Sequence, residues 1–102
     1  MPLFLIYPPG VSTPQKMVWK KESCSIGRKL ENDICLSDRH VSSNHCKITR
    51  VTASEFEVQD MNSSNGTYLN NLPVNGKSRM RNGDWLKVGQ HRLQFQLDPE
   101  EK

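Results

Sequence analysis

Between Ser37 and Ile48 the chain reads SDRHVSSNHCKI, which crowds hydroxyls, a histidine, an asparagine and a cysteine into one short stretch. Two chemistries could use such a set. A cysteine or serine beside a histidine could serve as nucleophile and base, or the hydroxyls and amides could grip a ligand without reacting. The run that follows, HCKITRV, has strand alternation, with Cys46 and Ile48 on one face and Lys47 and Thr49 on the other. Adjacent strand residues point to opposite faces, so the side chains of His45 and Cys46 are expected to diverge. Cys46 then reads as a buried free thiol on the apolar face, not as a nucleophile.

Two more stretches carry matching chemistry. One is Gly27-Arg28; the other is Ser63-Ser64-Asn65-Gly66-Thr67, with Asn70 just behind it. Together with Ser42-Ser43-Asn44-His45 they offer a guanidinium, several hydroxyls and several amides. A phosphate dianion is suited by this set: arginine presents two parallel N–H donors to two oxygens, and hydroxyls and backbone N–H groups complete the shell. Asparagine can bridge to a peptide backbone, since it both donates and accepts. No carboxylate placed to activate water stands out in these stretches, which speaks against an enzyme.

The elements around them are short strands. LFLIY (Leu3 to Tyr7) is ended by PPG, MVWKKE (Met17 to Glu22) and CSIGR (Cys24 to Arg28) follow, KLEND is a polar loop, and DICL (Asp33 to Leu36) is a short strand. EFEVQD points Phe56 and Val58 inward, TYLN is short, and DWLKVG precedes HRLQFQL, in which Leu93, Phe95 and Leu97 share a face. Asn75-Gly76 and Asn82-Gly83 are hairpin signals, because both residue types tolerate positive φ. No window holds a helical period. Some ten or eleven short strands punctuated by turns give an all-β, two-sheet β-sandwich, with loops of one end converging on a shared site.

The chain has 102 residues, enough for one domain with one core. That core spans about residues 3–97, and residues 98–102 read as a tail or the start of a linker. Hydrophobic residues are 34% of the chain, so the core is lean and its seven aromatics are the large fillers. A net charge of +3 suits an acidic or phosphorylated partner. The basic residues are scattered apart from Lys20-Lys21 and Arg79-Met80-Arg81, without the dense stripe of a nucleic-acid binder. No apolar run could span a membrane. Cys24, Cys35 and Cys46 are evenly spaced and odd in number, which fits strand rhythm and neither a disulfide framework nor, with His40, His45 or His91, a zinc site. The sequon-like NSS and NGT at Asn62 and Asn65 read as turns, no leader being evident. A reducing cytosolic or nuclear setting is expected.

The segments GRKLENDICLSDRHVSSNHCKI, VQDMNSSNGTYLNN and MRNGDWLKVG together resemble the forkhead-associated (FHA) domain family, over about Leu3 to Leu97. Gly-Arg, Ser-x-x-His and Asn-Gly occur in family order and spacing. The resemblance implies a twisted two-sheet sandwich that binds phosphothreonine peptides, without cofactor, metal or catalysis. By position, Arg28, Ser42 and Ser64 match phosphate contacts, Asn65 a contact to the peptide main chain, and Ser43 a position that helps hold the peptide. His45 matches a brace of the binding loops, Gly27 and Gly66 positions that permit the loops' backbone paths, and Asn70 a tie from the third loop to the scaffold. The family also implies a larger signalling parent, with nuclear, DNA-damage-response, cell-cycle or kinase-linked settings. The alternative use of the fold is phosphate-independent association, including pairing of two copies.

Overall fold

The structure, a computed structural model, describes residues 2–97; the tail expected over 98–102 lies outside the described residues. Eleven strands are present: β1 (Pro2–Tyr7), β2 (Gln15–Val18), β3 (Ser23–Gly27), β4 (Ile34–Cys35), β5 (Cys46–Arg50), β6 (Phe56–Asp60), β7 (Thr67–Leu69), β8 (Leu72–Pro73), β9 (Lys77–Met80), β10 (Trp85–Val88) and β11 (His91–Leu97). No helix occurs among the described residues. The strands form a six-stranded sheet, ordered β2-β1-β11-β10-β7-β8, and a five-stranded sheet, ordered β4-β3-β5-β6-β9. The expected all-β sandwich is what the chain forms.

Period-two patterning sets the two inner faces. Leu93 and Phe95 of β11 are fully buried while Arg92 is exposed, and Cys46 and Ile48 of β5 are buried while Lys47 is exposed. Phe4 stands opposite Phe95 in the β1–β11 ladder, and their rings lie 5.5 Å apart. Phe56 of the other sheet meets Phe95 edge-on at 4.8 Å, and Trp19 closes on Phe56 at 5.5 Å. This aromatic row bolts the sheets together, each such pair adding about 0.5–1.5 kcal/mol beyond its burial.

The three cysteines fall on β3, β4 and β5, neighbours in the five-stranded sheet, and all are free. Burial pushes the Cys24 thiol up to about 12, and that of Cys46 upward as well. No group of residues suited to a metal ion occurs among the described residues.

Two expectations need correction, and one strand lies outside the sequence reading. The second strand covers Gln15–Val18, earlier than Met17 to Glu22, because the chain turns inward at Trp19 to fill the core. The polar KSRM segment forms a strand, β9, since it ladders with β6 and buries Met80. Asn75-Gly76 and Asn82-Gly83 do turn, with Gly76 at φ 80° and Gly83 at φ 92°, but both carry the chain from one sheet to the other and neither closes a hairpin. Two tight hairpins occur among the described residues: Asn70-Asn71, at φ 50° and 69°, between the paired Leu69 and Leu72, and Gly89-Gln90, with Gly89 at φ 61°, between the paired Val88 and His91.

Candidate functional site

The register brings the relevant strand ends together. Ile26 pairs with Cys46 and Cys46 with Asp60, while Val88 pairs with both Thr67 and His91. The ends of β3, β6 and β10 and the starts of β5, β7 and β11 therefore share one end of the sandwich. Three loops leave from it: residues 28–33, 36–45 and 61–66.

Their connections are direct. Arg28 donates its backbone N–H to the Ser42 carbonyl at 3.0 Å, and Lys29 donates to that of Ser43 at 3.3 Å. Asn32 Nδ2 also reaches the Ser43 carbonyl, at 2.8 Å. The Ser64 N–H donates to Ser42 Oγ at 3.0 Å, and Asn65 Nδ2 to the His40 carbonyl at 2.8 Å. Arg28, Ser42, Ser43, Ser64 and Asn65, which are distant in sequence, are thereby collected into one surface. Arg28, Ser64 and Asn65 are exposed; Ser42 and Ser43 are half-buried.

His45 sits behind this surface, fully buried. Its Nδ1 accepts the Ser42 N–H at 3.1 Å, so the ring hydrogen is on Nε2, which donates to the Gly66 carbonyl at 2.9 Å. Both nitrogens are occupied, and the ring bridges the second loop to the third. Cys46 is buried too, so the two side chains are not split between core and solvent. What removes a Cys–His pair is that the imidazole has no free nitrogen and the thiol is held protonated.

Gly27 is needed for space: a Cβ there would sit 2.9 Å from the Ser43 carbonyl carbon and closer still to its oxygen. Gly66 is needed for conformation, at φ 82°. Asn70 does not bond the third loop. It lies past the far end of β7 and pins the β7–β8 turn to β10, donating its N–H to the Trp85 carbonyl and accepting the Trp85 N–H on Oδ1.

Sequence reasoning missed two carboxylates that shape these loops. Asp60 accepts the Ser63 N–H at 3.2 Å, the Ser63 hydroxyl, and the Thr67 hydroxyl at 2.7 Å. Asp38 accepts the backbone N–H groups of His40 and Gln90, joining the second loop to the β10–β11 turn. Burial disfavours its charge, but those N–H donors outweigh this and hold its carboxyl below the usual range. His91 Nδ1 stands 3.3 Å from Asp38 Oδ2 but is poorly aimed for a hydrogen bond. The available signal was positional: Asp-x-x-Ser at a strand end and Asp-x-His in a turn are side-chain-to-backbone turn patterns.

Residues 24–89, which hold all three loops, match the model of the FHA domain. The chain belongs to the FHA domain family. It is 36% identical over 97 residues to an oxoglutarate dehydrogenase inhibitor of Corynebacterium glutamicum, covering 95% of this chain and 66% of that protein. It is 35% identical over 95 residues to the glycogen accumulation regulator GarA of Mycolicibacterium smegmatis, covering 93% and 59%. The FHA domain thus spans less than two thirds of these relatives' length. It superposes on a domain solved in a study of phosphothreonine-dependent FHA domain interactions with a TM-score of 0.78, at 27% identity over 95% of this chain and 98% of that one. With the FhaA FHA domain, solved in complex with the intracellular domain of Rv3910, the TM-score is 0.80 at 25% identity, over 94% of this chain and 100% of that one. FHA domains are interaction modules, and the relatives are named for inhibition and regulation in bacteria. They lend no support to the nuclear, DNA-damage or cell-cycle setting.

Proposed function

We propose that this FHA domain binds phosphothreonine peptides on the surface formed by Arg28, Ser42, Ser43, Ser64 and Asn65. The observation that carries this reading is the loop knot, which fixes the backbone and leaves donors over. The Arg28 guanidinium has no carboxylate partner among the described residues, so its fork is available to two phosphate oxygens. Ser42 Oγ accepts from the Ser64 N–H, which leaves its own hydrogen to donate to an anion. Asn65 spends one amide hydrogen on His40 and keeps Oδ1 for a peptide N–H. Ser64 supplies a further hydroxyl, Ser43 flanks the peptide's path, and His45, Gly27 and Gly66 hold the surface in shape.

The domain is not an enzyme in this reading. It serves a regulator whose partner is a protein carrying phosphothreonine, and the regulatory names and bacterial sources of the relatives favour the cytoplasm over a nucleus. The test is an oriented phosphothreonine peptide library presented to the purified domain, beside the same library after phosphatase treatment. Selection of a consensus from the first and none from the second is expected. Equal capture from both would mean phosphate-independent association.

A further inference from the structure

The two sheets carry charge differently on their outer faces. On the five-stranded sheet the cations of β9 and its end meet carboxylates, unlike Lys47 and Arg50 of β5: Lys77 Nζ is 3.8 Å from Glu57, and Arg79 and Arg81 reach Glu55 at 3.0 and 3.3 Å. None of the six strands of the other sheet contains Asp or Glu. Its outer face instead shows Lys87 directly opposite Arg92 in the β10–β11 ladder. Like charges in that position oppose pairing, and no carboxylate relieves them among the described residues.

Arg92 is also pre-set for a ligand. Its guanidinium lies over the rings of Tyr7, at 5.5 Å, and Trp85, at 5.9 Å, and those rings pack on each other at 5.5 Å. A guanidinium held against aromatic rings keeps N–H donors for a further partner, and their fork suits a carboxylate. The same stacking covers ring faces that nucleic-acid bases would need, so the arrangement favours an acidic polypeptide.

A continuous track joins this spot to the proposed phosphate surface. A cleft of about 470 Å³ runs from His40 and Asn65 to Tyr68, Asn71 and Lys87. A second, of about 290 Å³, shares Tyr68, Asn71 and Lys87 and ends at Trp85 and Arg92. Tyr68, Lys87 and Arg92 lie side by side on three successive strands. At roughly 3.3 Å per residue along a strand and about 4.8 Å between strands, Asn65 to Arg92 is about 15–20 Å, or roughly four to six residues of extended chain.

We infer that the phosphothreonine partner continues along this track and places a carboxylate, roughly four to six residues from its phosphothreonine, on Arg92 and Lys87. The inference rests on the phosphothreonine reading for its anchor and adds a second, acidic determinant.

The test uses phosphothreonine peptides with one Glu, or Gln in its place, moved from three to seven residues away on either side. The wild-type domain should prefer Glu by about two- to fivefold at one or two of these positions, the size of an exposed charge pair. The preference should shrink at high salt and disappear in Arg92→Gln and Lys87→Gln, both of which should bind the Gln peptides as the wild type does. No Glu preference anywhere, or one that survives both substitutions, overturns the inference. A second arm needs no phosphate. Hexaglutamate should shift the amide resonances of Lys87 and Arg92 and the Trp85 indole N–H, and a lack of shifts there overturns the acidic track even if phosphothreonine binds. Failure of every phosphopeptide with hexaglutamate shifts intact would instead remove the phosphothreonine anchor. Displacement of hexaglutamate by oligo-dT at equal or lower concentration would mean a nucleic-acid face and also overturn the inference.

Discussion

Replacing His45 with alanine separates bracing from contact. The imidazole joins the Ser42 N–H to the Gly66 carbonyl and is fully buried. Its loss leaves a donor and an acceptor unpaired, each costing about 1–3 kcal/mol where water cannot replace the partner, and a void where the ring was. The Ser42 N–H is only part-buried, so a total of about 3 kcal/mol is reasonable. For a domain of this size each kcal/mol lowers the melting temperature by roughly 4–8 °C, giving a fall on the order of 15 °C. Ser42→Ala is the control. It removes the acceptor of an exposed N–H, that of Ser64, which water can satisfy, so its melting point should fall by less than about 5 °C while phosphopeptide affinity drops. Thermal unfolding followed by circular dichroism, with calorimetric titration of both variants, measures the contrast. A His45→Ala domain that melts within a few degrees of wild type and binds normally would refute the bracing argument.

Other consequences are as direct. Gly27→Ala should displace the second loop and weaken binding more than tenfold in a folded domain, because the added methyl collides with the Ser43 carbonyl; amide shifts confined to residues near 28 and 43 would accompany it, and unchanged affinity would show that the loop has room. Thiol labelling of the native protein should modify exposed Cys35 quickly and buried Cys24 and Cys46 only on unfolding, read by peptide mass. Asp33, held below the usual carboxylate range by its hydrogen bond to Lys21 and by the Ser25 N–H, stabilises the fold above its unfolded value and loses this as pH falls through its lowered one. Asp33→Asn should therefore be less stable than wild type at neutral pH, with the gap closing below about pH 4 in denaturant titrations.

Much of the fold was legible because one face of each sheet is buried. HRLQFQL and HCKITRV alternate with the period that burial requires, and the even cysteine spacing reflected strand rhythm, the structure making those strands neighbours. KSRM was not legible, since its exposed lysine and arginine find their carboxylates on other segments. An Asn-Gly pair shows that the chain turns, but which sheet it enters depends on distant ladders; hence Asn75-Gly76 and Asn82-Gly83 cross between sheets. The residues gathered at the loop knot were readable from motif order. Asp38 and Asp60 carried only a local turn pattern; the hydrogen bonds they accept from Gln90 and Thr67 are brought within reach by the folded chain. Asn70 was misplaced for the converse reason: proximity in sequence to the third loop did not make it part of that loop.

The most direct test of phosphothreonine binding at Arg28 is calorimetric titration of one library-selected peptide, phosphorylated and unphosphorylated, into wild type and Arg28→Ala. Hydrogen bonds to a charged group are worth roughly 1.5–3 kcal/mol, so the substitution should weaken the phosphorylated peptide at least about tenfold and leave the melting temperature unchanged, while the unphosphorylated peptide binds neither protein. A folded Arg28→Ala domain with wild-type affinity, or a wild-type domain that binds both peptides equally, would contradict the account.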